Sequence, residues 1–367
     1  MPGRSSTSSA QWTKSKPSPT PTTTPPRAQE TSMGDIDAGD PRETPQSAWG
    51  SLLGFADRYA DLGYRSLAEQ LRAGGPPPPS VQGTPIIVDS DIGGDPDDAI
   101  AVTCAARNLP EVALILTADE HRGRRARFAR HLLDLIERPD LPVVSGADLG
   151  NTRYHAVDGL IPDTVAEQPT DIVAAVRAVC AGTEGPVRWV GLGPLSNLAH
   201  VLRSAPELNA RLVVTQMGGA IHYRRPDRAE HNFRLDPDAA RYVVATAREL
   251  LLVLSDTTFT DEIAIDSGTD IYRALAADAA PAWAAVLRAH LDQWFARFYP
   301  ASLQHDPLTL TAALQLPFID FTRRRISLGP DARMTVAGDD SEGHPTWITT
   351  GADYPAFRAW LSKQIHY

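Results

Sequence analysis

From about residue 84 onward, short apolar runs alternate with longer stretches whose apolar residues recur at helical spacing. Strand-like runs fall at Ile86–Val88, Val112–Leu116, Val143–Val144, Arg188–Gly191, Leu212–Gln216 and Leu251–Leu254. Helix-like runs lie between them at Asp98–Arg107, Arg124–Ile136, Thr170–Cys180, Leu195–Ser204 and Pro237–Ala247. Alternation of this kind predicts an α/β fold, an open, mainly parallel, Rossmann-like sheet with helices on both faces. Ser267 to Leu316 reads as largely helical, with a long helix over Ala280–Phe298. The C-terminal pattern predicts a hairpin of Arg333–Thr335 with Trp347–Thr349, then a last helix over Tyr354–Ile365.

Ahead of this domain the pattern changes twice. Residues 1–45 are rich in Ser, Thr and Pro and poor in large apolar groups, so they cannot bury enough surface to offset ordering entropy and are expected to be a disordered tail. Trp49 to Leu71 shows helical spacing, with Gly63 as a candidate interruption, Gly74 and Gly75 as a stop and Pro76 to Pro79 as a stiff spacer. The expected organisation is thus a tail at 1–45, an appended helical segment with a Pro-rich linker at 46–80, and the main domain at 81–367.

Charge narrows the function. The chain carries 45 acidic against 35 basic residues, a net charge of −10, which argues against a nucleic-acid partner needing a basic face. Cys104 and Cys180 lie in apolar helix-like stretches and read as two free thiols. No apolar run approaches a membrane span, and the N-terminus lacks the apolar core of a secretory signal, so a soluble cytoplasmic protein without membrane contact is expected.

The chemistry concentrates in one loop. Ile86–Val88 leads into Asp89-Ser90-Asp91-Ile92-Gly93-Gly94-Asp95-Pro96-Asp97-Asp98, five aspartates within ten residues. Like charges so close raise one another's pKa unless a cation sits among them. An oxygen-only ligand set suits a hard ion, Ca²⁺ or Mg²⁺. One or two of these aspartates could serve as turn or cap residues, but DxD followed by DxDD after a buried-type strand points to a metal site. Three further polar clusters sit at predicted strand ends. They are Gly191-Leu192-Gly193-Pro194-Leu195-Ser196-Asn197, then Met217-Gly218-Gly219-Ala220 with Glu230-His231-Asn232 beyond it, and Gln304-His305-Asp306-Pro307. Paired glycines permit close backbone approach to a ligand, and Glu230 and Asn232 carry groups that bind sugar hydroxyls.

Taken together, Asp89-Ser90-Asp91-Ile92-Gly93, Asp97-Asp98-Ala99, Gly193-Pro194-Leu195-Ser196-Asn197, Met217-Gly218-Gly219-Ala220, Glu230-His231-Asn232, Asp236-Pro237 and His305-Asp306-Pro307 resemble the inosine–uridine-preferring nucleoside hydrolases, in family order from about residue 84 to the C-terminus. The resemblance implies the nucleoside hydrolase fold, a tight Ca²⁺ ion, a small-molecule nucleoside substrate and a homo-oligomer, dimer or tetramer. It implies that Asp91, Asp98, Asp306 and the Leu192 carbonyl hold the ion, and that Asp91 is the base acting on a calcium-bound water. Asp97 and Asn232 would hold the ribose 2′ and 3′ hydroxyls and Glu230 the 5′ hydroxyl. Met217 and Asp119 occupy further substrate positions, and His305 matches the residue that protonates the leaving base in some members.

Three features depart from the family pattern. The acidic loop has two extra residues between Gly93 and Asp97. Thr117-Ala118-Asp119-Glu120-His121 stands where the pattern ends in Gly-Asn, which puts Asp119 at a ribose-contacting asparagine. Tyr223-Arg224-Arg225-Pro226-Asp227-Arg228 replaces a second Gly-Asn. These arginines raise the alternative of a nucleoside 5′-monophosphate N-ribohydrolase, against which the retained Glu230 counts. A non-catalytic ribosyl-binding module is a second alternative, and retention of Asp91 and His305 counts against it. A DxD phosphatase with Asp89 as nucleophile is a third, but Lys14, Lys16 and Lys363 are the only lysines and none is suitably placed.

Overall fold

An uninterrupted run of branched apolar residues suits a strand covered on both faces, and Ile86–Ser90 (β1) is such a strand, buried at every position. The computed structural model describes residues 45–74, 77, 79–151, 153–338 and 343–367. Beyond β1 its strands are β2 (Val112–Thr117), β3 (Val143–Ser145), β4 (Val187–Gly191), β5 (Leu212–Met217), β6 (Glu249–Val253), β7 (Ala264–Ile265), β8 (Ser302–Leu303), β9 (Ile319–Leu328), β10 (Met334–Val336) and β11 (His344–Ala352). The α-helices are α1 (Pro45–Arg58), α2 (Arg65–Gly74), α3 (Pro96–Asn108), α4 (Arg124–Leu135), α5 (Ile172–Ala181), α6 (Ser196–Ser204), α7 (His231–Leu235), α8 (Pro237–Thr246), α9 (Ser255–Thr258), α10 (Asp270–Leu275), α11 (Ala282–Arg297), α12 (His305–Ala313) and α13 (Tyr354–Ile365).

The main sheet runs β10-β9-β11-β6-β5-β4-β1-β2-β3, and β1 to β6 are all parallel. Its central order, 3-2-1-4-5-6, reverses direction between β1 and β4. Loops leaving the carboxyl ends of those two strands part there and open a crevice, where α/β sheets bind their ligands. The strand pleat sends alternate residues to opposite cores. Ile86 and Val88 pack with Ile100, Leu132, Leu291, Leu308 and Phe357. Ile87 packs with Leu114, Trp189, Leu198 and Val243 on the other face.

The expected C-terminal hairpin is not formed. Met334–Val336 and His344–Ala352 both pair antiparallel with β9, which lies between them, and β11 continues the sheet parallel to β6. Strand β9 escaped the sequence reading because Arg323, Arg324 and Arg325 interrupt its apolar pattern. Arg324 and Arg325 are exposed, so the strand buries too little on that stretch to show a clean alternation. The small β7–β8 pair was missed for its brevity. Of the tail expected at residues 1–45, residues 1–44 lie outside the described residues, as does part of the proline spacer, and Pro45 opens α1. Gly63 does interrupt the appended helical stretch, adopting φ +105° between a 3₁₀ turn and α2. Both cysteines are free and buried, and burial pushes the Cys104 thiol up to about 12. No helix among the described residues is long and apolar enough to cross a membrane.

One amide fixes the strand ends around the crevice. Asn197, in the first turn of α6, donates through Nδ2 to Asp89 Oδ1 (2.7 Å) and to the Thr117 carbonyl (2.9 Å). Its Oδ1 accepts the Ala147 N–H (3.1 Å). It thereby links the ends of β1 and β2 to the loop after β3, and it is fully buried. Asn197→Ala strands two buried acceptors, Asp89 Oδ1 and the Thr117 carbonyl, each costing roughly 1–3 kcal/mol, and frees the half-buried Ala147 N–H. Urea unfolding should show a loss of at least ~1 kcal/mol; an unchanged midpoint would refute this account of the strand ends.

Candidate active site

The acidic loop leaves β1 and enters α3 with Pro96 at the first helical position, where its fixed φ suits a helix start. Asp97 and Asp98 occupy the first turn and are buried, with Asp306 brought beside them by the first turn of α12. Carboxylate oxygens of Asp97, Asp98 and Asp306 all lie within 4.8 Å of one another. Asp97 Oδ2 accepts the Asp306 N–H (3.3 Å), and the Ser90 hydroxyl donates to Asp98 Oδ1. Burial first, and then the neighbouring carboxylates, hold all three well above the usual carboxylate range. Asp95, before Pro96, is pushed up to about 8 by burial, against the pull of the Ser302 hydroxyl. Asp89 is pushed up to about 7 by burial, against the pull of Asn197. Buried, oxygen-only and mutually repelling, the triad fits a hard divalent cation.

The other expected residues surround this triad to different degrees. Asp91 is half-buried, raised by burial and lowered by Arg125, and its charge is felt at Asp97, Asp98 and Asp306. A Cβ on Gly193 would sit 2.9 Å from Asp91 Oδ1, so only glycine lets the β4 loop approach so closely. The Leu192 carbonyl accepts Asn232 Nδ2 (2.6 Å), which also donates to the Met217 carbonyl (3.2 Å). Asn232 thus clamps the ends of β4 and β5. Glu230 caps α7, its Oε2 accepting the N–H groups of Phe233 and Gly219, and burial raises it. His305 Nδ1 lies 2.7 Å from Thr258 Oγ1, and burial pushes its imidazole down to about 3. Asp119 is fully buried at φ +47°, with its Oδ2 bonded to Arg125 (3.2 Å) and to Asn151 (2.9 Å) and its Oδ1 unpartnered.

Arg125 escaped the sequence reading. Its guanidinium bonds the carbonyls of Asp91, Ile92 (3.1 Å) and Tyr154 (3.5 Å), and its Nε bonds the Asp119 carbonyl (2.6 Å). It sits in Arg124-Arg125-Ala126-Arg127, which reads as a solvated basic face. The available signal was helical phase, since Arg125 shares a face with Phe128 and Ala129, both fully buried. Phe259 and Tyr154 were also missed. Phe259 stacks on His305, and Tyr154 meets His231 edge-on.

Residues 86–359 match the family model described as inosine-uridine preferring nucleoside hydrolase. The chain belongs to that family. A pyrimidine-specific ribonucleoside hydrolase, RihA, of Escherichia coli O81 (strain ED1a) is 28% identical over 270 residues, spanning 68% of this chain and 86% of its own. Among solved structures, an inosine-guanosine nucleoside hydrolase superposes with a TM-score of 0.66 at 20% identity, covering 77% of this chain and 99% of its own. An inosine-uridine preferring nucleoside hydrolase of Bacillus anthracis gives 0.62 at 17%, covering 77% and 99%. Those two share the fold. Family membership makes the chain a hydrolase of N-glycosidic bonds, with an acidic triad able to hold a metal ion.

A carboxyl group whose folded pKa is raised stabilises the fold below its unfolded pKa and loses that contribution as pH rises through the folded value. For Asp95 the window runs from 3.8 to about 8, and Asp97, Asp98 and Asp306 shift in the same direction. Chelated protein should therefore melt at falling temperature as pH rises from 4 to 8, and a divalent cation should flatten the slope. Asp98→Asn should raise the melting temperature of the chelated protein, more at pH 8 than at pH 5, and remove the stabilisation by cation. A wild-type melting temperature that rises with pH under chelation would contradict this.

Proposed function

We propose that the chain hydrolyses the N-glycosidic bond of a ribonucleoside, releasing base and ribose, with Ca²⁺ as its metal. The observation that carries this reading is the buried oxygen-only triad at the sheet's reversal point, in a chain that matches the family across nearly all of its main domain. Asp98 and Asp306 would hold the ion, with Asp91 and the Leu192 carbonyl completing the oxygen ligands. Asp97 is close enough to the same point to serve ion or ribose. Calcium would orient the attacking water and lower its pKa modestly.

Asp91 takes the proton of the water. A carboxylate beside the ion is placed to act as that base. As the bond to the base breaks, positive charge develops on the ribose, and surrounding carboxylates stabilise it. Both amide hydrogens of Asn232 are spent on carbonyls, so its Oδ1 is the atom left for a ribose hydroxyl. Glu230 serves the 5′ hydroxyl, Met217 lines the ribose at the end of β5, and Asp119 offers its unpartnered Oδ1. His305 lies on the leaving-group side as an uncharged imidazole, so at neutral pH it orients the base through a hydrogen bond and carries no spare proton. Pyrimidine nucleosides are the first substrates to try, given the specificity named for the RihA relative. A buried, capped Glu230 at the 5′ end disfavours a 5′-monophosphate.

Ribose release from a panel of nucleosides and their 5′-monophosphates, with and without chelator, tests the reading. Release should require a divalent cation, with calcium restoring it after chelation. Asp91→Ala should lower kcat by at least ~100-fold, the scale of a lost general base. Absence of ribose release from every nucleoside, with calcium still bound, would favour the ribosyl-binding alternative.

A further inference from the structure

We infer that Arg224 is a leaving-group residue of this site, donating hydrogen bonds to a carbonyl oxygen of the departing base. The inference rests on the hydrolase reading and assigns a role to the arginine loop. The Arg224 guanidinium lies 4.2 Å from the centroid of the Phe259 ring and 5.2 Å from that of Tyr223. Phe259 in turn stacks on His305, with ring centroids 6.3 Å apart and planes at 18°. Arginine, phenylalanine and histidine thus form one column at the rim of the acidic crevice. Flat contacts of this kind hold a guanidinium in place without consuming its N–H groups.

Among the described residues those N–H groups have no hydrogen-bond acceptor. Among the described residues no carboxylate pairs with Arg224, whereas Arg228 on the same loop faces Asp227 at 3.7 Å. The column runs from Arg224 over Phe259 to His305, and the hydrolase reading puts His305 on the leaving-group side, so Arg224 stands over the departing base.

The chemistry balances without a further reactant. The C1′–N bond breaks and its electron pair leaves with the base, while the water oxygen bonds to C1′ and its proton passes to Asp91. In a base with ring carbonyls the negative charge spreads onto a carbonyl oxygen. There charge-assisted N–H donors stabilise it more than the neutral ground state. Arg224 keeps its proton throughout, and the base takes one from solvent after release.

The test compares uridine with 4-nitrophenyl riboside, whose leaving group needs little help. Arg224→Ala should lower kcat/KM for uridine at least tenfold further than for 4-nitrophenyl riboside, with partial recovery in Arg224→Lys. Arg225→Ala, on the same exposed loop, should show no such difference. Equal losses on the two substrates, or none, would overturn the inference while leaving the hydrolase reading intact. So would faster hydrolysis of uridine 5′-monophosphate than of uridine, if Arg224→Ala abolished that advantage. Calorimetric binding of uracil decides the matter without turnover. Uracil binding should weaken at least tenfold in Arg224→Ala while ribose binding does not, and unchanged uracil binding would overturn the assignment even in a chain that released no ribose.

Discussion

The constraint on which the site depends is the burial of several carboxylates at the end of one apolar strand. Asp89 near the end of β1, Asp95 in the loop that follows and Asp97 and Asp98 in the first turn of α3 fall within ten residues. Asp306 is packed against the last two, and all of these carboxyls are pushed up by burial. A protein gains nothing in stability from such a cluster, because desolvation and mutual repulsion act in the same direction. The arrangement is tolerable for two reasons. The carboxyls can stay protonated when the site is empty, and a divalent cation can take over their compensation when it is filled. The fold therefore stores an unfavourable term that a bound cation would release.

Holding that cluster in place demands rigid surroundings, and the structure supplies them with buried side-chain clamps. Asn197 fixes β1 to β2 and to the loop beyond β3. Asn232 fixes the ends of β4 and β5. Gln216 Nε2 ties the Gly193 and Met217 carbonyls (2.8 Å each), and Arg125 gathers the carbonyls of the acidic loop. Each clamp satisfies carbonyls that a strand end would otherwise leave bare in a buried crevice. The Asp119–Arg125 pair, buried on both sides, is costly to desolvate. Its geometry explains its presence, because only a guanidinium spans the loops of residues 91, 119 and 154 at once.

The central parallel strands and their helices were readable in the sequence because both faces are covered, so apolar runs such as Ile86–Val88 and Leu212–Gln216 stand out against polar turns. The acidic residues were readable because their spacing has no good explanation without a ligand. What escaped is instructive. Strand β9 is hidden by Arg323 to Arg325, since a strand with a solvated stretch loses its pattern, and its absence turned two strands that flank it into a supposed hairpin. Arg125 is hidden because one arginine among several reveals nothing of its burial. The partnership of Asp97 with Asp98 and Asp306 depends on α12 arriving from 200 residues away, a packing fact that local spacing does not contain.

The distribution of charge around the crevice also bears on how a reaction could proceed there. The floor is acidic and buried, which suits a ribose turning positive. The rim holds Arg224, exposed and lying on aromatic rings, which suits a base turning negative. In the proposed reaction these two fields would stand at opposite ends of the scissile bond and would polarise it in the direction of cleavage, because each end stabilises the charge that forms nearest to it. A site with an acidic floor alone would stabilise the sugar cation and repel the departing base. Tyr223-Arg224-Arg225 shape the rim, whereas the acidic triad able to hold a metal ion forms the floor. Changes of substrate preference are expected in such exposed loops, since they can vary without disturbing the sheet that positions the carboxylates.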